Sequence, residues 1–215
     1  MTVAVKICGL GTAEALHAAI AGGARFVGFV FYPPSPRHLS IAAASALAAA
    51  VPPGVTRVGV TVDPDDDFLA QLLAKAPLDL LQLHGKETPQ RVAAIKDRFR
   101  IRTMKAIPVA AAADLAAARR YFSVADWLMF DAKPPKDKAD AMPGGNALAF
   151  DWRLLSAREW PLPWMLSGGL DPDNLAAAAT ISRAPVLDVS SGVESAPGVK
   201  DVTMIRTFLA RASAL

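Results

Sequence analysis

One thiol, a strand-terminal aspartate and two serine–glycine stretches carry the chemistry open to this chain. The single cysteine lies in Lys6-Ile7-Cys8-Gly9, where an apolar run gives way to glycine. A lone thiol cannot form an internal disulfide, so Cys8 serves either packing or reactivity. Asp131 closes the apolar run Leu128-Met129-Phe130-Asp131, and His84 closes Gln82-Leu83-His84-Gly85. Ser167-Gly168-Gly169-Leu170-Asp171-Pro172 and Ser190-Ser191-Gly192-Val193-Glu194 have the composition of phosphate loops. Small residues there let backbone N–H groups approach anionic oxygens. Either stretch alone also fits an ordinary tight turn.

These residues must be carried by something regular. Short apolar, β-branched runs recur at 3–8, 26–31, 57–62, 78–84, 101–107, 126–131, 164–167 and 186–190. Most are nearly continuous apolar segments, as parallel strands buried on both faces require. Between them lie alanine- and leucine-rich segments with helix-start signals. Thr12 can cap 13–21, Ser40 can cap 41–50, and Thr88 with Pro89 can open a helix to about residue 98. Phe68, Leu69, Leu72 and Leu73 give 65–76 helical spacing. Helices are also expected over 114–122, 171–181 and 201–212, with a short one at 151–157 after a polar loop. Eight strands alternating with helices is the pattern of a (β/α)₈ barrel, expected here as one catalytic domain over residues 1–215.

In that fold catalytic residues gather at the carboxyl ends of the strands. Cys8-Gly9, Tyr32 with the loop to Arg37, Asp63, His84, Lys105, Asp131, Ser167-Gly168-Gly169 and Ser190-Ser191-Gly192 all fall there. The loops after strands seven and eight are the usual phosphate site of the fold, which makes the two serine–glycine stretches a joint candidate. Gly145 and Asn146, in the loop after strand six, are candidates for a further N–H contact. Lys6 is two residues before Cys8 and so shares its lumenal face. A buried lysine needs a partner, and Asp188 on the neighbouring eighth strand is the expected one.

Composition excludes several classes. The chain has 53% hydrophobic and 20% charged residues, typical of a packed globular protein. Its net charge of +3 comes from scattered basic residues; the densest stretch, 96–102, is interrupted by Asp97. This argues against a nucleic-acid partner and is compatible with an anionic small molecule. No apolar run approaches the roughly 20 residues of a membrane span. The N-terminus shows no export signature, and a single unpaired cysteine suits a reducing cytosol, so a cytoplasmic location is expected.

The ordered series Lys6-Ile7-Cys8-Gly9, Gln82-Leu83-His84-Gly85, Gly144-Gly145-Asn146 with Phe150-Asp151-Trp152, Ser167-Gly168-Gly169-Leu170, and Asp188 to Glu194 with Pro197-Gly198-Val199-Lys200-Asp201 resembles the phosphoribosylanthranilate isomerase family. That family performs the third step of tryptophan biosynthesis, and the likeness runs from residue 3 to about residue 208. It implies an aldose–ketose isomerase that converts N-(5'-phosphoribosyl)anthranilate to an aminoketose by general acid–base catalysis, with no cofactor and no metal. It also implies roles: Cys8 as base, Asp131 as acid, and Arg37 as ligand of the anthranilate carboxylate. His84 is either a substrate contact or a support for a neighbouring group. Gly145, Asn146, Gly168, Gly169, Ser190, Ser191 and Gly192 would hold phosphate. The chain departs from the family's usual Gly-Gly-Thr-Gly at Gly144-Gly145-Asn146-Ala147, and Thr61 stands where an aromatic residue is commoner. Monomer and homodimer are equally compatible with the sequence. The competing readings are a histidine-pathway type of isomerase and a non-catalytic phosphate-binding barrel. The first usually carries aspartate in place of Cys8 and has repeated halves; the second would not require Cys8 and Asp131 together.

Overall fold

Eight parallel strands close into a barrel in chain order: β1 (Ala4–Cys8), β2 (Phe26–Phe31), β3 (Thr56–Thr61), β4 (Leu80–Leu83), β5 (Arg102–Val109), β6 (Trp127–Ala132), β7 (Trp164–Leu166) and β8 (Val186–Val189). The structure, a computed structural model, describes residues 3–133 and 149–215. Between the strands lie α1 (Ala13–Ala21), α2 (Ile41–Ala49), α3 (Asp66–Lys75), α4 (Pro89–Phe99), a 3₁₀ helix (Ala112–Tyr121), α5 (Arg153–Ser156) and α6 (Leu175–Ser182), with α7 (Val202–Ser213) after β8. The (β/α)₈ expectation is met.

Alternation along each strand sorts side chains into two layers. On β1, Val5 and Ile7 join the large apolar layer between strands and helices, while Lys6 and Cys8 face the lumen. On β6, Leu128 and Phe130 point outward and Met129 and Asp131 inward. The lumen is plugged by Val58, Leu80, Met104, Ala106, Met129, Met165 and Val186. Each fully buried side chain of this size contributes about 1.5–3 kcal/mol. The plug makes a firm floor, and most mouth residues stand one pleat above it: Val60, Gln82, Asp131 and Asp188.

Helix starts follow the expected chemistry. The hydroxyls of Thr12, Ser40 and Thr88 accept from the N–H groups of Ala15, Ala43 and Arg91, each at 3.2 Å. Asp65 and Asp201 cap α3 and α7 through Phe68 and Met204. Such a cap is worth about 1 kcal/mol.

Three local expectations need correction. The helix expected from residue 171 begins at Leu175, because Asp171 and Asn174 bond back into the preceding loop instead. Asp171 Oδ1 accepts from the N–H groups of Asp173 and Asn174, and Asn174 Nδ2 donates to the Gly169 carbonyl at 2.8 Å. The helix expected over 114–122 is a 3₁₀ helix. There Asp114 Oδ2 accepts from the N–H groups of Ala110 and Ala111 at its start. Lys105, read as a strand-end residue of the mouth, points away from the lumen, since its neighbours Met104 and Ala106 occupy the plug. Its ammonium donates to the carbonyls of Leu83 and Gly85 and to Glu87 Oε2 at 2.7 Å. That buried pair pins the loop following β4.

Candidate active site

A mouth opens at the carboxyl ends of the strands. It is lined by Cys8 from β1, Arg37 from the loop after β2, Gln82 and His84 from β4 and its end, Asp131 from β6, Ser167 to Leu170 after β7, and Asp188, Ser190 and Ser191 from β8 and its loop. Of the expected site residues, Cys8, Arg37, His84, Asp131, Gly168, Gly169, Ser190 and Ser191 therefore share one cavity. Gly192 does not line it. A side chain at Gly192 would collide with the Leu170 carbonyl, so this glycine allows the β7 and β8 loops to touch. Gly168 and Gly169 adopt φ of +95° and +62°, a turn that L side chains rarely make. Gly145 and Asn146 lie outside the described residues. Thr61 is buried behind the mouth, its hydroxyl near the Gln82 carbonyl, so the missing aromatic ring leaves the lining untouched.

Under the β1 end lies the ion pair expected from strand parity. Lys6 Nζ donates to Asp188 Oδ1 at 2.8 Å, across the directly registered pair Lys6↔Asp188 of β1 and β8. Ser167 Oγ donates to the other carboxylate oxygen at 2.9 Å. Burial alone would lower the Lys6 pKa, but the Asp188 carboxylate overrides it and holds the ammonium charged. Cys8 is packed against Val30, Val60 and Tyr32. A side chain on Gly28 would touch both the Cys8 sulfur and Lys6 Nζ, so the two groups meet over one glycine. Burial pushes the Cys8 thiol pKa up; Lys6 and, more weakly, Lys200 pull it down, while Asp188 pushes it up.

Arg37 is held rather than loose. Its Nε and Nη2 donate to the two oxygens of Glu194, both at 2.8 Å. Lys200 bonds the same carboxylate and donates to the Ser190 carbonyl at 2.9 Å. Burial would raise the Glu194 pKa, but Arg37 and Lys200 together hold it below the ordinary carboxylate range. Burial also lowers the Lys200 pKa, with Glu194 only partly offsetting it. Glu194 and Lys200 belong to a short β-hairpin, β9 (Glu194–Ala196) with β10 (Val199–Lys200). The sequence reading missed this brace. Its one signal was a pair of opposite charges, Glu194 and Lys200, on either side of the Pro197-Gly198 turn beside a phosphate-like loop.

On the opposite wall, His84 Nε2 and Asp131 Oδ2 are 3.0 Å apart, and Ala132 N–H donates to Asp131 Oδ1 at 2.9 Å. Gln82 Nε2 lies 2.8 Å from His84 Nδ1. His84 is thus seated against Asp131 and also lines the cavity, a placement that fits both roles left open by the sequence. Among the described residues no group of three or more His, Cys, Asp or Glu converges as a metal site would.

The closed parallel barrel, with a thiol, two carboxyls and an arginine in the cavity at its strand ends, defines a protein of the (β/α)₈ class. Comparison with known proteins narrows this. A family model described as N-(5'phosphoribosyl)anthranilate (PRA) isomerase matches residues 5–211, and the chain belongs to that family. It is 58% identical over 214 residues to the N-(5'-phosphoribosyl)anthranilate isomerase of Paracoccus denitrificans, covering 100% of this chain and 99% of the relative. The crystal structure of phosphoribosyl anthranilate isomerase from Thermotoga maritima superposes with a TM-score of 0.88 at 35% identity, covering 99% of this chain and 100% of that one. A second such structure was solved in complex with reduced 1-(o-carboxyphenylamino)-1-deoxyribulose 5-phosphate. It gives a TM-score of 0.85 at 34% identity, with 99% and 100% coverage.

Proposed function

We propose that this chain isomerises N-(5'-phosphoribosyl)anthranilate to 1-(2-carboxyphenylamino)-1-deoxyribulose 5-phosphate in tryptophan biosynthesis, with Cys8 as base and Asp131 as acid. One observation carries the assignment of roles: a thiol and a carboxyl from β1 and β6 face one cavity in a chain of this family. The reaction is an Amadori rearrangement. The Asp131 proton passes to the furanose oxygen, the bond from that oxygen to C1′ breaks, and the nitrogen lone pair forms the iminium. The Cys8 thiolate then takes the C2′ proton, and its electrons give the enolamine. Gain of a proton at C1′ and loss of one from the 2′-hydroxyl yield the ketone. Carbon is oxidised at C2′ and reduced at C1′ within one molecule, so the chemistry asks for proton transfer alone. Each positioned acid or base contributes about 10²–10⁴-fold.

In this reading the N–H groups of Gly168 and Gly169 and of the Ser190–Ser191 turn take the phosphate, with Gly145 and Asn146 as further donors and Gly192 permitting the loops to approach. Arg37 faces the anthranilate carboxylate. Its Nε and Nη2 are taken by Glu194, which leaves Nη1 for the ligand. Anchoring the guanidinium beforehand reduces the entropy lost on binding. Residues 1–215 act as one catalytic unit in the cytoplasm, as a monomer or homodimer, on a small-molecule substrate without a nucleic acid or membrane partner. No helix among the described residues is long and apolar enough to cross a membrane. The histidine-pathway alternative is not favoured, since the family match covers most of the chain. The test is direct: purified protein is assayed on N-(5'-phosphoribosyl)anthranilate, with formation of the aminoketose expected. Inactivity of folded protein on it would sink the reading.

A further inference from the structure

We propose that Gln82 is a positioning residue for the acid: its side-chain amide fixes the tautomer of His84 and so directs the acidic proton onto Asp131. This rests on the reading of Asp131 as the acid. Gln82 is buried, at 1% exposure, on the lumenal face of β4. Its Nε2 lies 3.2 Å from Met129 Sδ and 2.8 Å from His84 Nδ1. A thioether sulfur can only accept, so it belongs opposite the amide nitrogen; reversing the amide would set oxygen against sulfur. With the nitrogen there, its two N–H groups point at Met129 and at His84 Nδ1. The Nδ1 atom must then be the accepting one.

The consequence is transmitted through the ring. In neutral imidazole one nitrogen donates and the other accepts. If Nδ1 accepts, Nε2 carries the hydrogen and donates to Asp131 Oδ2, 3.0 Å away. A second proton at Nδ1 would displace the Gln82 bond and face its N–H. A proton entering the pair therefore resides on Asp131. When Asp131 gives that proton to the furanose oxygen, both carboxylate oxygens already hold a donor: His84 Nε2–H on Oδ2 and Ala132 N–H on Oδ1. The network thus stabilises the product of the proton transfer without carrying the proton itself. Gln82 Oε1 is buried and without a hydrogen-bond partner among the described residues, so the amide is held through its nitrogen alone.

The experiment is ¹⁵N NMR of histidine-labelled protein, with the His84 resonances assigned by their loss in His84→Asn. Wild-type protein at neutral pH is expected to show His84 neutral, protonated at Nε2 and bare at Nδ1. Gln82→Met, similar in shape but without the donor, should disturb that pattern. It should lower kcat roughly 10–100-fold, the worth of one hydrogen bond in a charged network, with KM changed by less than about twofold. A wild-type His84 protonated at Nδ1, or a Gln82→Met enzyme with native kcat, overturns the proposal. The wild-type spectrum decides even if Gln82→Met does not fold. Asp131→Asn separates the two ideas. Full activity there removes the acid reading itself, whereas an inactive Asp131→Asn beside an Nδ1-protonated His84 removes only the role of Gln82.

Discussion

Around Cys8 the mouth is held by lysine and arginine paired with carboxylates; around Asp131 it is held by hydrogen bonds from a ring and the backbone. Lys6 and Asp188 form a buried pair beneath the thiol, and Arg37, Glu194 and Lys200 form a second charged cluster beside Ser190. Asp131 instead meets an imidazole and a backbone N–H. The difference suits the two tasks proposed for Cys8 and Asp131. A base must reach an anionic form, and a nearby ammonium helps it. An acid must keep its proton, and a full cation against Asp131 would drive that proton off. Directional hydrogen bonds from His84 and the Ala132 N–H instead place the carboxyl and receive the carboxylate that remains once a proton has left.

The comparison can be broken most sharply at the reacting groups. Cys8→Ser and Asp131→Asn are each expected to lower kcat/KM by about 10²–10⁴-fold in the isomerase assay. If either retains native activity, that wall of the mouth is not catalytic and the contrast loses its meaning. Next comes Lys6→Met, which leaves Asp188 buried beside Ser167 alone. A loss of about 3–5 kcal/mol in denaturant unfolding is expected, because an uncompensated buried charge remains. A loss under about 1 kcal/mol, the usual worth of an exposed pair, would show that charge is not what supports the base side. The gentlest probe is pH. Burial raises the Cys8 pKa against the opposing pull of Lys6 and Lys200. Hence kcat/KM should go on rising, by up to about tenfold per pH unit, beyond the ordinary thiol value near 8.5. A limb that levels off below that value would assign the base to another group or to a thiol whose burial the substrate relieves.

Much of this was legible in the residues. The barrel follows from eight apolar runs alternating with capped helices, and the Lys6–Asp188 pair follows from strand parity and closure alone. Parity also placed Cys8 in the lumen. The same rule, applied to Met104, Lys105 and Ala106, turns Lys105 away from the lumen, since its two neighbours face inward. Other features depend on contacts between distant segments. Arg37 finds Glu194 only because the β2 loop and the hairpin after β8 share one rim, with 157 residues between them. The late start of α6 depends on Asn174 choosing the Gly169 carbonyl over a helical cap, a competition that spacing does not decide. His84 shows the limit most clearly. Its motif marked it, but its partner Asp131 lies 47 residues away, and only the folded register shows which nitrogen meets which oxygen.

The Lys6–Asp188 bond also closes the barrel's last seam. It joins strands 182 residues apart, and Ser190 Oγ crosses the same seam to the Cys8 carbonyl. Until β8 docks, Lys6 lacks the carboxylate that pairs with it in the closed barrel, so closing the seam also gives a buried charge its counter-ion. Closing the seam therefore also completes the surroundings of Cys8, since β8 and its loop bring both Asp188 and Ser190 to it. A chain released from synthesis before β8 emerges would carry Cys8 without its contact to Ser190 and Lys6 without its partner.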